Sequence, residues 1–214
     1  MTAARSAPGK FITLEGGEGA GKSTQARKLA AELGRHNINA RVTREPGGTS
    51  YGEKIRNLVL TEHPASAVTE LLLFAAARAE HLAALIRPAR QTGQWVICDR
   101  FIDSTRVYQG RLGGVDPALI LAIETSTVAP DMPDLTLVLD LPAQIAVQRV
   151  SARGEGNRFD AAKLEQYETL RQGFLDIARA EPGRCIVIDG SQAPETVARA
   201  IWSAVNDRFI GAPT

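Results

Sequence analysis

An apolar run that breaks into glycines and restarts as helix-forming sequence, Phe11-Ile-Thr-Leu-Glu-Gly-Gly-Glu-Gly-Ala-Gly-Lys-Ser-Thr24, constrains this chain more than any other stretch. It reads as strand, phosphate loop and helix. Gly16 and Gly21 with Lys22 and Ser23 fit the pattern G-x-x-x-x-G-K-[ST]. In that pattern successive backbone N–H groups curl around a polyphosphate, and the helix that follows points its positive end at the same anion. Gly16, Gly17, Gly19 and Gly21 allow positive φ and keep side chains away from the phosphate oxygens. Residues Gly16, Gly17, Glu18, Gly19, Ala20, Gly21, Lys22, Ser23 and Thr24 are therefore the expected nucleoside-triphosphate loop. Lys22 would reach the β- and γ-phosphates, and the Ser23 hydroxyl would take one position on Mg²⁺, a cation that prefers hard oxygen ligands.

A chain of 214 residues, 44% hydrophobic and 23% charged, suits one globular domain with ample core and no need of disulfides or structural metal. The formal net charge of +1 supplies no global field for nucleic acid or an anionic membrane, so neither is an expected partner and anion affinity must be local. Cys98 and Cys185 sit in β-like apolar runs and read as buried thiols, which points to a reducing, cytoplasmic setting. Residues 1–10 carry two basic residues and no apolar core, unlike a signal peptide or anchor; a disordered lead-in is expected, with one domain over 11–210.

Along the chain, Ala26, Leu29, Ala30 and Leu33 recur at helical spacing, and Ala40 to Thr43 is a second strand. Arg44-Glu-Pro-Gly-Gly-Thr49 is a turn-rich loop just past that strand's end, where ligands of parallel sheets bind. Arg44 is a ligand candidate there, or a solvated loop charge. A short helix over Tyr51 to Leu60 precedes a long one from about Ala67 to Thr92. The long helix carries an apolar stripe of Val68, Leu71, Leu72, Ala75, Ala79, Leu82, Ala83 and Ile86, and Pro88 should kink it. Phe74 and Arg78 lie one turn apart on the shoulder of the stripe. Such a pair suits stacking a planar base and bonding its carbonyl edge; a core-rim Phe74 with an exposed Arg78 fits the same pattern.

The third strand, Trp95-Val-Ile-Cys-Asp-Arg100, ends in an acid followed by a base. Asp99 stands where phosphate-loop proteins hold Mg²⁺ opposite the loop hydroxyl, which makes Ser23 and Asp99 the expected metal pair. Arg100 would lie among the phosphates, and Asp103, Ser104, Thr105, Tyr108 and Gln109 crowd polar groups behind it. Asp103 and Ser104 also read as helix N-caps. A fourth strand, Leu135 to Asp140, is apolar throughout, as a strand buried on both faces would be. The following helix runs into Arg149-Val-Ser-Ala-Arg153-Gly-Glu-Gly-Asn-Arg158-Phe-Asp160, whose three arginines and two glycines describe a mobile flap over about 149–160, or a solvated helix end. A helix marked by Leu164, Tyr167, Leu170, Phe174 and Ile177, a fifth strand over Cys185 to Asp189 and a final helix over Pro194 to Phe209 complete the chain. The alternation predicts a three-layer α/β/α phosphate-loop domain on a five-stranded parallel sheet.

Five segments, in order, resemble the bacterial thymidylate kinase family: Glu15 to Thr24, Thr43 to Thr49, Leu73 to Arg78, Asp99 to Phe101 with Ser104 and Tyr108-Gln109, and Arg153 through Phe159. The resemblance implies transfer of the γ-phosphate of ATP to thymidine 5′-monophosphate with Mg²⁺, usually by a homodimer. It further implies Phe74 stacked on thymine, Arg78 on O4, and Arg44 and Arg100 on the acceptor phosphate. Glu18 would face the sugar 3′-hydroxyl, and Tyr108 would crowd out a 2′-hydroxyl. Ser104, Thr105 and Gln109 would complete the substrate pocket. Lys22, Arg100 and Arg153, the last from the flap, would be the catalytic cations. Phe101 stands where many relatives carry tyrosine. Another phosphate-loop small-acceptor kinase, or a nucleotide-dependent switch, are the alternatives. No Asn-Lys-x-Asp guanine motif is present, and an arginine-bearing flap suits transfer better than switching.

Overall fold

The computed structural model describes residues 7–62, 64–152 and 164–211. Five parallel strands, β1 (Phe11–Glu15), β2 (Ala40–Arg44), β3 (Trp95–Asp99), β4 (Leu135–Asp140) and β5 (Cys185–Asp189), lie in the order β2-β3-β1-β4-β5. Strand β1 is central, with Leu14 beside Asp99 on one side and Leu137 on the other. Helices cover both faces: α1 (Lys22–Arg35), α2 (Ser50–Thr61), α3 (Ala67–His81), α4 (Arg87–Gln91), α5 (Ile102–Thr105), α6 (Pro117–Thr127), α7 (Ala143–Ser151), α8 (Leu164–Ala180) and α9 (Pro194–Phe209). Burial of apolar β1 and β4 on both faces is what the continuous hydrophobic runs require.

Side chains alternate across β1, and the alternation divides the core. Ile12 and Leu14 join Leu29, Leu33, Leu137 and Ile201 in a cluster under α1 and α9. Phe11 turns to the other face, with Leu82, Ile86, Val96, Cys98 and Phe101. Thr13 and Glu15 share that second face, so a polar line runs through an otherwise apolar layer; the Thr13 and Thr136 hydroxyls meet there at 2.8 Å. Cys98 and Cys185 are buried and free, as their apolar surroundings suggest.

Two sequence expectations change and a third gains detail. The long helix passes from α3 through a π-helical segment, Leu82–Ile86, into α4, with Pro88 in the first turn of α4. The stripe is only partly core, because Leu72 is 52% and Val68 40% exposed while Arg78 and His81 occupy the buried face. The lead-in is tied down before Phe11: the Gly9 amide donates to the Arg90 carbonyl, and the Val96 amide to the Lys10 carbonyl. Residues 1–6 lie outside the described residues.

Candidate active site

All the sequence-selected segments between residues 15 and 109 meet at the carboxyl ends of β1, β2 and β3. The loop after β1 turns through positive φ at Gly16, Gly19 and Gly21. A Cβ on Gly16 would stand 2.6 Å from the Leu139 carbonyl oxygen, so at that position glycine also permits the loop to lie against β4. Lys22 folds back over the loop, its Nζ donating to the carbonyls of Gly16 at 2.9 Å and Gly17 at 2.7 Å. Burial and the neighbouring Arg100 lower its ammonium pKa to about 8. Ala20 packs into the core and Thr24 stands exposed in the first turn of α1.

The Ser23 hydroxyl donates to the Asp99 carboxylate. These groups come from the loop and from the end of β3, and together they offer two hard oxygen donors beside the phosphate loop. That donor set fits Mg²⁺, which is commonly held by few protein oxygens and completes its octahedron with phosphate and water.

Beside the loop lies a cleft lined by Glu18, Glu45, Pro46, Arg56, Leu60, Phe74, Arg100, Ser104, Thr105, Tyr108 and Gln109. Arg100 dominates it electrostatically. Its guanidinium donates to the Gly16 carbonyl and Ser104 Oγ, each at 3.2 Å, and to Glu18 Oε1 at 2.7 Å. Burial opposes its charge, but Glu18, Tyr108, Asp99 and Glu15 more than offset that and hold it firmly protonated. The other Glu18 oxygen accepts from the Tyr108 hydroxyl, and the Tyr108 ring lies 5.0 Å from the Arg100 guanidinium carbon. Burial first, and then the Glu18 carboxylate, push the Tyr108 phenol well above its usual range despite Arg100. Gln109 is held from behind by Glu70 at 2.8 Å.

Phe74 is half-buried in the cleft wall. Arg78 is 2% exposed, which overturns the solvated alternative. It grips two lining residues from behind, donating from Nε to Glu45 Oε2 at 2.7 Å and from Nη2 to Thr105 Oγ1 at 2.9 Å; Nη2 also reaches the Phe101 carbonyl at 3.1 Å. Nη1 makes no hydrogen bond among the described residues. Glu45 is also met by His81 Nδ1 at 3.0 Å, whose Nε2 lies 2.7 Å from the Thr43 hydroxyl.

Arg44 is not brought into the cleft: it is largely exposed and paired with Glu53, with contacts of 2.9 and 3.1 Å. Arg56 takes that wall instead, anchored to the Pro46 carbonyl at 2.9 Å. Sequence reading missed Arg56 because a lone arginine on a short helix carries no pattern; its spacing from the Pro46 turn was the available signal. Neither Asp103 nor Ser104 caps α5. Phe101 is the N-cap, and Asp103 instead pairs with Arg106 and Arg184 beneath the helix. Arg149 is no flap residue: it extends from α7 to the carbonyls of Gly19, Gly190 and Ser191. Arg153 and Arg158 lie outside the described residues, and with them most of the expected flap.

Comparison with known proteins gives a consistent result. The family model described as thymidylate kinase matches residues 14–201. The chain is 48% identical over 210 residues to a thymidylate kinase of Bradyrhizobium diazoefficiens, covering 96% of this chain and 92% of that one. It is 48% identical over 207 residues to one of Nitrobacter hamburgensis, with coverages of 94% and 90%. A crystal structure of thymidylate kinase from Ehrlichia chaffeensis superposes with a TM-score of 0.77 at 35% identity, covering 92% of this chain and all of that one.

Proposed function

Because the chain belongs to the thymidylate kinase family, we infer that its cleft transfers the γ-phosphate of ATP to thymidine 5′-monophosphate, giving thymidine 5′-diphosphate for dTTP synthesis. The observation that carries this reading is the convergence of a lysine-bearing phosphate loop with a cleft walled by two aromatic rings, Phe74 and Tyr108, and several polar groups. Phosphoryl transfer asks little covalent help of a protein; it needs in-line placement and fixed positive charge where charge spreads over oxygen. Lys22 supplies that charge at the donor, Arg100 and Arg56 at the acceptor phosphate. Ser23 and Asp99 would hold Mg²⁺, which would supply countercharge for the donor phosphates. Phe74 stacks on the base, and Arg78 offers Nη1 to the carbonyl O4. Ser104, Thr105 and Gln109 line the acceptor site. Glu18, held between Arg100 and Tyr108, faces the sugar, and the Tyr108 ring occupies the space of a 2′-hydroxyl. Arg44 would join the acceptor phosphate by leaving Glu53, and Arg153 would close on the donor from the flap.

A coupled assay of ADP formation across nucleoside monophosphates and small alcohols tests the assignment. Thymidine monophosphate should be the best acceptor and EDTA should abolish turnover; a better non-nucleotide acceptor would overturn the reading.

The homodimer is proposed through α3 and α6, whose shared groove is lined by Ala75, Ala76, Ala79, Ala122 and Ile123 beside the exposed Leu72. An apolar strip of this kind is unfavourable in water and marks an interface. Leu72→Arg should convert a dimer to a monomer in sedimentation velocity; an unchanged sedimentation coefficient would exclude this face. Among the described residues no helix is long and apolar enough to cross a membrane. Free buried thiols at Cys98 and Cys185 support a cytoplasmic setting.

A further inference from the structure

Arg100 has φ of 71°, one of two non-glycine residues with positive φ among those described. A left-handed arginine is strained and persists only where its surroundings over-determine it. Besides Glu18, Gly16 and Tyr108, those surroundings include one side chain that does not touch the arginine. Glu15, the last residue of β1, is fully buried, and its carboxylate reaches across to the chain leaving β3. Oε1 accepts from the Phe101 amide at 2.7 Å and from the Ser104 amide at 3.3 Å; Oε2 accepts from the Ser104 hydroxyl at 2.6 Å. Phe101 and Ser104 bracket the start of α5, whose N-cap residue has no side-chain cap of its own. Glu15 therefore caps that turn from the neighbouring strand.

The link to Arg100 runs through Ser104. Because Ser104 spends its proton on Glu15, its lone pairs face Arg100 Nη1, which donates to them at 3.2 Å. The Arg100 amide is meanwhile fixed to the Leu14 carbonyl at 3.0 Å, one residue before Glu15. Both ends of the arginine are thus referred to the end of β1, the same strand that launches the phosphate loop.

We propose that Glu15 is the positioning residue of the acceptor-phosphate grip, holding Arg100 in its left-handed conformation and its guanidinium against the phosphate loop. The role rests on the reading of Arg100 as an acceptor-phosphate ligand. Glu15 does not itself reach substrate, since its carboxylate is enclosed by the turn it caps. Donor and acceptor phosphates are kept in line because one strand end sets both the loop and the arginine.

Steady-state kinetics of Glu15→Gln, Arg100→Lys and the double variant test this. Glutamine keeps the shape but turns the Ser104-facing oxygen into a donor, and loss of a charged hydrogen bond is worth about tenfold or more. Glu15→Gln should raise KM for thymidine monophosphate about tenfold and leave KM for ATP within about twofold. Arg100→Lys should raise the same KM, and adding Glu15→Gln to it should do little more, because Glu15 acts through Arg100. A purely structural Glu15 would lower the active fraction and melting temperature while both KM values held, which would overturn the proposal. If Arg100→Lys leaves the acceptor KM unchanged, the reading of Arg100 fails; if only Glu15→Gln leaves it unchanged, the positioning role alone fails. Should Glu15→Gln not fold, Glu15→Asp, which keeps the charge and withdraws it by one methylene, is read by the same split.

Discussion

Replacing Lys22 by alanine is expected to lower kcat by ~10²–10³ while changing affinity for thymidine monophosphate little. Among the described residues the ammonium bonds the carbonyls of Gly16 and Gly17 alone, both inside the phosphate loop, so it is free to exchange them for phosphate oxygens without disturbing the cleft. A cation where charge develops contributes to the transition state more than to ground-state binding of the acceptor. The variant's kcat, set beside a calorimetric dissociation constant for the monophosphate, checks the assignment. Collapse of acceptor binding with turnover per bound acceptor intact would move Lys22 to the recognition site. Lys22→Met, which keeps most of the buried volume, should behave as the alanine does, because the missing quantity is charge.

Arg78→Ala should carry two separable costs. The side chain is enclosed and ion-paired to Glu45 at 2.7 Å, so truncation leaves a cavity and a buried carboxylate whose remaining side-chain partner among the described residues is His81. Breaking a buried pair in this way typically costs 3–5 kcal/mol; the remaining His81 contact argues for about 3. For a domain of this size that is on the order of 6–12 °C in melting temperature. Where the variant is folded, thymidine monophosphate should bind more weakly by about 1.5–3 kcal/mol, the worth of a charged hydrogen bond, with ATP affinity unchanged. Denaturation curves read the first cost and titrations of each nucleotide the second. Equal weakening of both nucleotides would assign Arg78 to the fold rather than to the base.

The helices and strands were largely legible because their signals are local. Apolar runs fixed the spans of β4 and β5, helical spacing found α1, and the glycines with Lys22 and Ser23 announced the loop. Ser23 and Asp99 could be paired in advance because strand ends and a phosphate loop must converge in a parallel sheet. What escaped depends on partners far apart in sequence. Arg78 looked like a shoulder residue because nothing near it reveals Glu45 and Thr105 waiting to enclose it. Arg44 and Arg56 traded places for a comparable reason: Glu53, nine residues beyond Arg44, captures the first and leaves the cleft wall to the second. Asp103 reads as a cap in any local scheme, and only the fold brings Arg184 under it. The spacing of Arg149 from Arg153 gave no hint that one is tied to the loop carbonyls.

The helical stretch after β3 also limits how this chain can change length. From Arg106 to Leu112 it is π-helical, and the Gly113 amide bonds five residues back to the Tyr108 carbonyl. A π turn holds one residue more than an α turn, so excising a residue there would let the ladder relax to α geometry with the segments on either side still in phase. The same loss from an ordinary α-helical turn would rotate one side by about 100° against the other. Ser104 and Thr105 lie on the near side, and Val115 and Ile120 pack on the far side. Single-residue deletions among relatives that keep this site should consequently fall inside Arg106–Leu112, where both the cleft and the seat of α6 keep their alignment, rather than in the α-helical turns around it.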